Sequence, residues 1–287
     1  MNELIQGIHL FIDEGISDDR IALSSGSMNL KGGIYQNIDY GELNAFRQRL
    51  PWRAPSKNEV KRLSGVGRKP VNASDIGLLK LPETLFREVR TTLRLDSVVS
   101  KNELSKLFND ERYFGPIQKI LLFLEQYYIL STDELVINRI GMNKPGLPIV
   151  SYNSKRAYFP GLHIDSWDQL PLRDRDRARN RICLNLGREP RYLLFVNLTV
   201  QQVVDLLDEN IEDPDKNYNP KTLVHHFLKI FPDYPLVRLT LWPGEGYIAP
   251  TENIIHDGST EGTSSPDFYF TLRGFFACTR KSNVVSS

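Results

Sequence analysis

The spacing of apolar residues changes character near residue 133. Before that point the period is helical. Leu85, Phe86, Val89 and Leu93 share one side of a predicted helix over 82–95. Ser100 and Glu103 form a capping box ahead of Leu104, Leu107 and Phe108. Pro116 opens a third helical segment carrying Ile117, Ile120, Leu121, Leu124 and Tyr128. The intervening RAPSKNEVKRLSGVGRKP, residues 53–70, is rich in Pro, Gly, Ser and basic residues and reads as a long loop.

From residue 134 onward the pattern is that of short strands. ELVINRI, LPIVSY, RAYFPGLHID, RICLNLG, RYLLFVNL, LVRLTLW, EGYIA, NIIHDG and DFYFTLRGFFA follow one another, most of them separated by turn residues. RICLNLG and RYLLFVNL flank Arg188-Glu189-Pro190, which predicts a hairpin. A helical insertion at about 199–231 interrupts the series. Thr199 and Gln202 cap residues 200–208, and Asn219-Pro220 starts a second helix to about Phe231. Eight or nine short strands in one run point to a closed or double-sheet β architecture of jelly-roll type. The expectation is a mainly β fold with a helical N-terminal part, in a single catalytic domain over 1–287. In it, a helix-rich front over 1–133 packs outside a jelly-roll core over 134–287.

Composition narrows the class. Hydrophobic content of 40% and charged content of 25% are those of a globular chain. A formal net charge of +1 gives no overall attraction to nucleic acid or to an anionic membrane. The two cysteines, Cys183 and Cys278, argue against a disulfide framework or a thiolate zinc site. The N-terminal MNELIQGIHLFIDEGISDD lacks a basic leader region, and no apolar run reaches the ~18–20 residues of a membrane span. These features predict a cytoplasmic protein with no membrane or nucleic-acid partner; they leave its oligomeric state open.

The five histidines carry the chemistry. His163 and Asp165 lie two apart in PGLHIDSWDQLP, a stretch that reads as strand, so both side chains project from one face. His9 falls in the amphipathic N-terminal segment, and His225 and His226 are adjacent on the inserted helix and point apart. His256, in NIIHDG, follows a strand, a Pro-Gly-Glu-Gly turn and a second apolar stretch. Two imidazoles and one carboxylate on one side of a metal leave the opposite positions open, the pattern of non-haem iron(II) oxygenases. Arg273, seventeen residues beyond His256, supplies a guanidinium whose fork can grip a carboxylate in bidentate fashion, and Thr271 shares its face.

His163-x-Asp165, the distal His256 and Arg273 on the following strand together resemble the iron(II)/2-oxoglutarate-dependent oxygenases, over residues 134–280. The resemblance implies a double-stranded β-helix (a jelly roll, cupin-like) flanked by α-helices. It implies Fe(2+) on His163, Asp165 and His256, with 2-oxoglutarate and O2 as cosubstrates. Arg273 would hold the far carboxylate of 2-oxoglutarate. Some members anchor it from a strand soon after the HxD motif, which makes Arg181 and Arg191 the alternatives. The implied reaction is hydroxylation of an unactivated C–H of an amino acid or natural-product intermediate, with release of succinate and CO2. Members that halogenate carry Gly or Ala where this chain has Asp165, so the aspartate favours hydroxylation.

Further residues are candidates for the substrate. Glu252, four before His256, could hold an amine, and Asn185 and Asn197 could line a pocket. The segment PLRDRDRARNR, residues 171–181, places arginines at every second position after the HxD stretch. Arg173 and its neighbours could form a lid over an acidic substrate, although such alternation more often marks a solvated loop. Two other functions stay open: an iron-dependent oxidase or cupin-type enzyme using the same triad without 2-oxoglutarate, and a jelly-roll binding module with no chemistry.

Overall fold

A computed structural model describes residues 3–12, 19–30, 34–35, 38–39, 45–128, 135–207 and 213–280. Two sheets dominate it. The seven-stranded sheet runs in the order Leu10–Phe11, Ile76–Lys80, Glu245–Ala249, Asn180–Asn185, Asp267–Gly274, Val136–Ile137, with Gly141–Asn143 also paired to Asp267–Gly274. The four-stranded sheet runs Ile254–Ser259, Arg191–Thr199, Val237–Leu241, Ile21–Leu23. All pairings in these sheets are antiparallel except the one between the first two strands of the larger sheet.

The alternation of side chains along each strand divides the apolar residues into two cores. Ile182, Leu184, Ile248, Phe270 and Leu272 leave one face of the larger sheet and pack with Phe86, Val89, Ile117 and Ile120 of the N-terminal helices. From the opposite face, Cys183, Tyr247 and Ala249 meet Leu193, Phe195, Leu239 and Leu241 of the smaller sheet. The larger sheet is therefore covered on both sides, by helices and by the second sheet. Its register places Arg181 beside Arg273, Cys183 beside Thr271 and Asn185 beside Tyr269, all on the interior face.

Several local expectations match. The helices Glu83–Thr92, Lys101–Leu107 and Phe114–Leu124 form, and Ser100 and Glu103 cap the second reciprocally. Val200–Leu207 and Pro220–Ile230 form the insertion, with the Thr199 and Gln202 cap in place; residues 208–212 lie outside the described residues. Among the described residues, no helix is long and apolar enough to cross a membrane.

Four local expectations are corrected. LPIVSY and RAYFPGLHID form no named strand; the second makes only isolated bridges, at Tyr158, Gly161 and His163. The 53–70 stretch is not all loop, because Ser56 and Glu59 form a capping box that starts the helix Lys57–Leu63. The front is not helical throughout, since Leu10–Phe11, Ile21–Leu23 and Ile76–Lys80 complete the edges of the two sheets. The first two, of two and three residues, are too short to show a period. The Arg188-Glu189-Pro190 turn does not make a hairpin; Asn180–Asn185 and Arg191–Thr199 belong to different sheets. Asn185 holds this corner, donating from Nδ2 to the carbonyls of Glu189 and Leu241 (both 2.9 Å) and accepting from the amide of Gly187 (2.8 Å).

Candidate metal centre

His256 lies in the strand Ile254–Ser259, where its register partner is Phe195 of the neighbouring strand. His163 lies outside the named strands but makes an antiparallel bridge to His256, with reciprocal backbone bonds of 3.1 and 2.8 Å. Two residues on, the amide of Asp165 donates to the carbonyl of Thr251 (3.1 Å). Backbone pairing thus brings together residues far apart in the sequence.

One donor atom from each of His163, Asp165 and His256 falls within 4.8 Å of the others. His163 Nε2 is 3.5 Å from Asp165 Oδ1, and His256 Nε2 is 3.7 Å from Asp165 Oδ2. His163 Nδ1 lies 2.8 Å from the carbonyl of Gly161, and His256 Nδ1 lies 3.3 Å from that of Ile254. A carbonyl can only accept, so each Nδ1 carries a proton; His256 Nε2 then presents its lone pair to the shared space, and His163 Nε2 does so once a metal displaces its second proton. With all three donors within 4.8 Å of one another, the side chains are close enough to share one first-row divalent ion. Asp165 Oδ2 is buried and makes no hydrogen bond; the Arg181 guanidinium stands 3.0 Å from it and His256 Nε2 3.7 Å. The residues fit a divalent ion.

The electrostatics are those of buried, mutually coupled groups. Burial works against a charged His163, yet the Asp165 hydrogen bond and the Asp257 and Asp165 charges outweigh it and raise the imidazole to about 9. Burial keeps His256 neutral, at about 3. Burial opposes ionisation of Asp165, but Arg181 and the two imidazoles hold it well below the carboxylate range. Arg181 Nη2 stands 3.0 Å from Asp165 Oδ2.

The other predicted residues separate into distinct places. Arg273 is at the same end of the interior as the triad. Its Nη1 is 3.4 Å from Asp168 and 3.9 Å from Glu252, and its guanidinium lies 5.1 Å from the ring centre of Trp167, which is exposed. Thr271 faces the interior, and its hydroxyl accepts from Asn138 (3.0 Å). Arg191 starts its strand from the interior of the sandwich. It is buried, lies 4.8 Å from the Tyr269 ring and 3.7 Å from Asp267, and has no hydrogen-bond partner at Nε or Nη1. Gly258 packs closely on Val150, whose side chain a Cβ there would approach to 2.7 Å.

Glu252 is 1% exposed, and its partners are protein groups: the amide of Asp168 (2.9 Å), Arg175 (3.1 Å) and Arg273. Asn185 and Asn197 are likewise occupied, Asn197 by the carbonyl of Ile5 and the hydroxyl of Tyr234. Arg173 is exposed and pairs with Asp174 and Asp213. The alternating arginines do not form a uniformly solvated loop. Arg173 and Arg177 face solvent, whereas Arg175 is buried, Arg179 grips Asp168 at 2.5 Å and Arg181 reaches Asp165.

Sequence reasoning missed Arg175, Trp167 and Asp168. The run DSWDQLP contained a signal for Trp167 and Asp168, since an aromatic and an acid immediately beyond the HxD pair are placed at the mouth of any site that pair forms.

No protein-family model and no curated protein matches the chain. Among solved structures, it is similar to one described as the Kdo hydroxylase KdoO, a non-heme Fe(II) alphaketoglutarate dependent dioxygenase in complex with cobalt(II). That similarity covers 71% of this chain and 81% of the other at 14% identity, with a TM-score of 0.38.

Proposed function

We propose that this protein is a non-haem iron(II)- and 2-oxoglutarate-dependent oxygenase that hydroxylates an unactivated C–H bond of a small polar substrate. The observation that carries the reading is the convergence of His163 Nε2, His256 Nε2 and the Asp165 carboxylate at one end of a space between two sheets. The strand orders support a double-stranded β-helix. Each sheet has an antiparallel core of strands drawn from both sides of the insertion, and after the insertion the four successive strands from Val237–Leu241 to Asp267–Gly274 alternate between the sheets.

His163, Asp165 and His256 would hold the iron, which supplies, with 2-oxoglutarate and O2, the oxidising power for C–H hydroxylation. The protein's part is orientation and charge. The Gly161 and Ile254 carbonyls keep both imidazoles in the tautomer a metal requires. Arg181 holds the Asp165 carboxylate toward the interior. Asp165 itself fills the position that a halogenating enzyme leaves open, which favours hydroxylation.

For the far carboxylate of 2-oxoglutarate we favour Arg191 over Arg273. Arg273 already has Asp168 and Glu252 beside it and Trp167 against its face. Arg191 has two buried donors that make no hydrogen bond, its ion-pair partner Asp267 standing 3.7 Å away. A buried guanidinium in that state gains more from a carboxylate than one already satisfied. Cys183 and Tyr247 stand close to both Arg181 and Arg191, on the interior face between the two ends. Turnover that requires 2-oxoglutarate and yields succinate tests this reading. Iron binding without 2-oxoglutarate dependence would favour an oxidase with the same triad, and absence of metal binding would leave a binding module.

A further inference from the structure

The three metal-binding side chains are not held equally well. His256 is paired within a sheet, and His163 is bridged to it through two backbone bonds. Asp165 has a single backbone bond, from its amide to Thr251, and the chain beyond it leaves the sheet. Its carbonyl, however, accepts from Nη1 of Arg175 at 2.7 Å, and the next residue, Ser166, accepts at its hydroxyl from Nη2 at 2.9 Å. Arg175 Nη1 also meets Glu252 at 3.1 Å. Glu252 in turn accepts from the amide of Asp168 at 2.9 Å. Both side chains of this ion pair are nearly inaccessible, at 3% and 1%.

We propose that Arg175 and Glu252 are positioning residues: a buried clamp that ties the chain carrying Asp165 to the turn leading into His256, and so sets the carboxylate for the metal. This rests on the metal reading given above. A buried ion pair adds little net stability, because desolvation offsets most of the attraction. Its value here is geometric. The planar fork of an arginine can reach the Asp165 carbonyl, the Ser166 hydroxyl and Glu252 together, which a lysine ammonium on a single flexible stem cannot. The clamp also gives Glu252 a role different from holding a substrate amine, since its carboxylate faces protein groups.

The test uses the full chain without oxygen and cobalt(II) as the probe, read by its visible absorption, which reports both affinity and coordination. The double variant Arg175→Met, Glu252→Gln removes the clamp without leaving a buried unpaired charge, and the amide oxygen of the new side chain can still accept from the amide of Asp168. It is expected to melt close to the wild type, to bind cobalt about 10- to 100-fold more weakly, and to show an altered band shape. If the double variant does not fold, Arg175→Lys takes its place, with the same weakened binding and altered band expected. Unchanged affinity and spectrum in the folded variant would show that the pair is only structural and would overturn the clamp while leaving the metal site intact. Failure of the wild type to bind cobalt, or equal binding by His256→Ala, would instead overturn the metal reading, and the clamp with it.

Discussion

Replacing Arg191 with methionine isolates the cosubstrate anchor. Methionine is unbranched and apolar, so it fills much of the space of the arginine stem without offering a donor. Arg191 presents two buried nitrogens that lack hydrogen-bond partners, Nε and Nη1. Hydrogen bonds to charged groups contribute about 1.5–3 kcal/mol each, so a carboxylate gripped by Nη2 together with either of these nitrogens is worth roughly 3–6 kcal/mol, or about 10²- to 10⁴-fold in affinity. The upper half of that range is reached only if Asp267, 3.7 Å away, does not compete with the incoming carboxylate. The assay is calorimetric titration of 2-oxoglutarate into the manganese(II)-loaded protein, with Arg273→Met alongside. Arg191→Met is expected to lose at least ~100-fold, and Arg273→Met to stay within about 3-fold, a difference of under ~1 kcal/mol. Loss in Arg273→Met with none in Arg191→Met would refute the assignment and restore Arg273 as the anchor.

Other outcomes follow from the same structure. Arg181→Met leaves the buried Asp165 carboxylate without its guanidinium, which should lower the stability of the metal-free protein by about 3–5 kcal/mol in urea unfolding, with part of the loss recovered when a divalent ion is added. Phe195→Ala, at a fully buried position opposite His256, should cost about 3–5 kcal/mol in the same assay. Glu59, held at about 2 by its hydrogen bonds from Arg53 and Ser56 against the cost of burial, has a lowered folded-state value. Its contribution to stability is therefore complete above the ordinary glutamate range near ~4.3 and disappears as the pH falls toward about 2. The stability difference between wild type and Glu59→Gln, measured from about pH 5 to about pH 2, should shrink with acid; a constant difference would show that Glu59 does not titrate as described.

What the sequence revealed depended on whether the signal was local. The long strands from Asn180 to Gly274 and the capped helices could be read because each carries its own period or cap. His163, Asp165 and His256 could be nominated because HxD in an extended stretch puts both side chains on one side, even though His163 makes only an isolated bridge, and few other histidines competed. Their convergence depends on a long-range backbone bridge between His163 and His256, which no local pattern encodes. The strands Leu10–Phe11 and Ile21–Leu23 were illegible because two or three residues cannot show a period. The hairpin expectation failed for a related reason: a corner between two sheets and a turn within one both use Gly and Pro. The arginines of 171–181 looked alike in sequence, and only packing separates the buried Arg175 from the exposed Arg173 and Arg177.

The central claim is that His163, Asp165 and His256 hold iron(II) in a site that also takes 2-oxoglutarate. The most direct measurement is an anaerobic titration of the metal-free protein with iron(II), then 2-oxoglutarate, followed by visible absorption. A metal-to-ligand charge-transfer band that appears only when both are present, and is absent in His256→Ala, is the expected result. Iron binding without the band would contradict the cosubstrate assignment, and no iron binding would show that the three side chains meet for another reason.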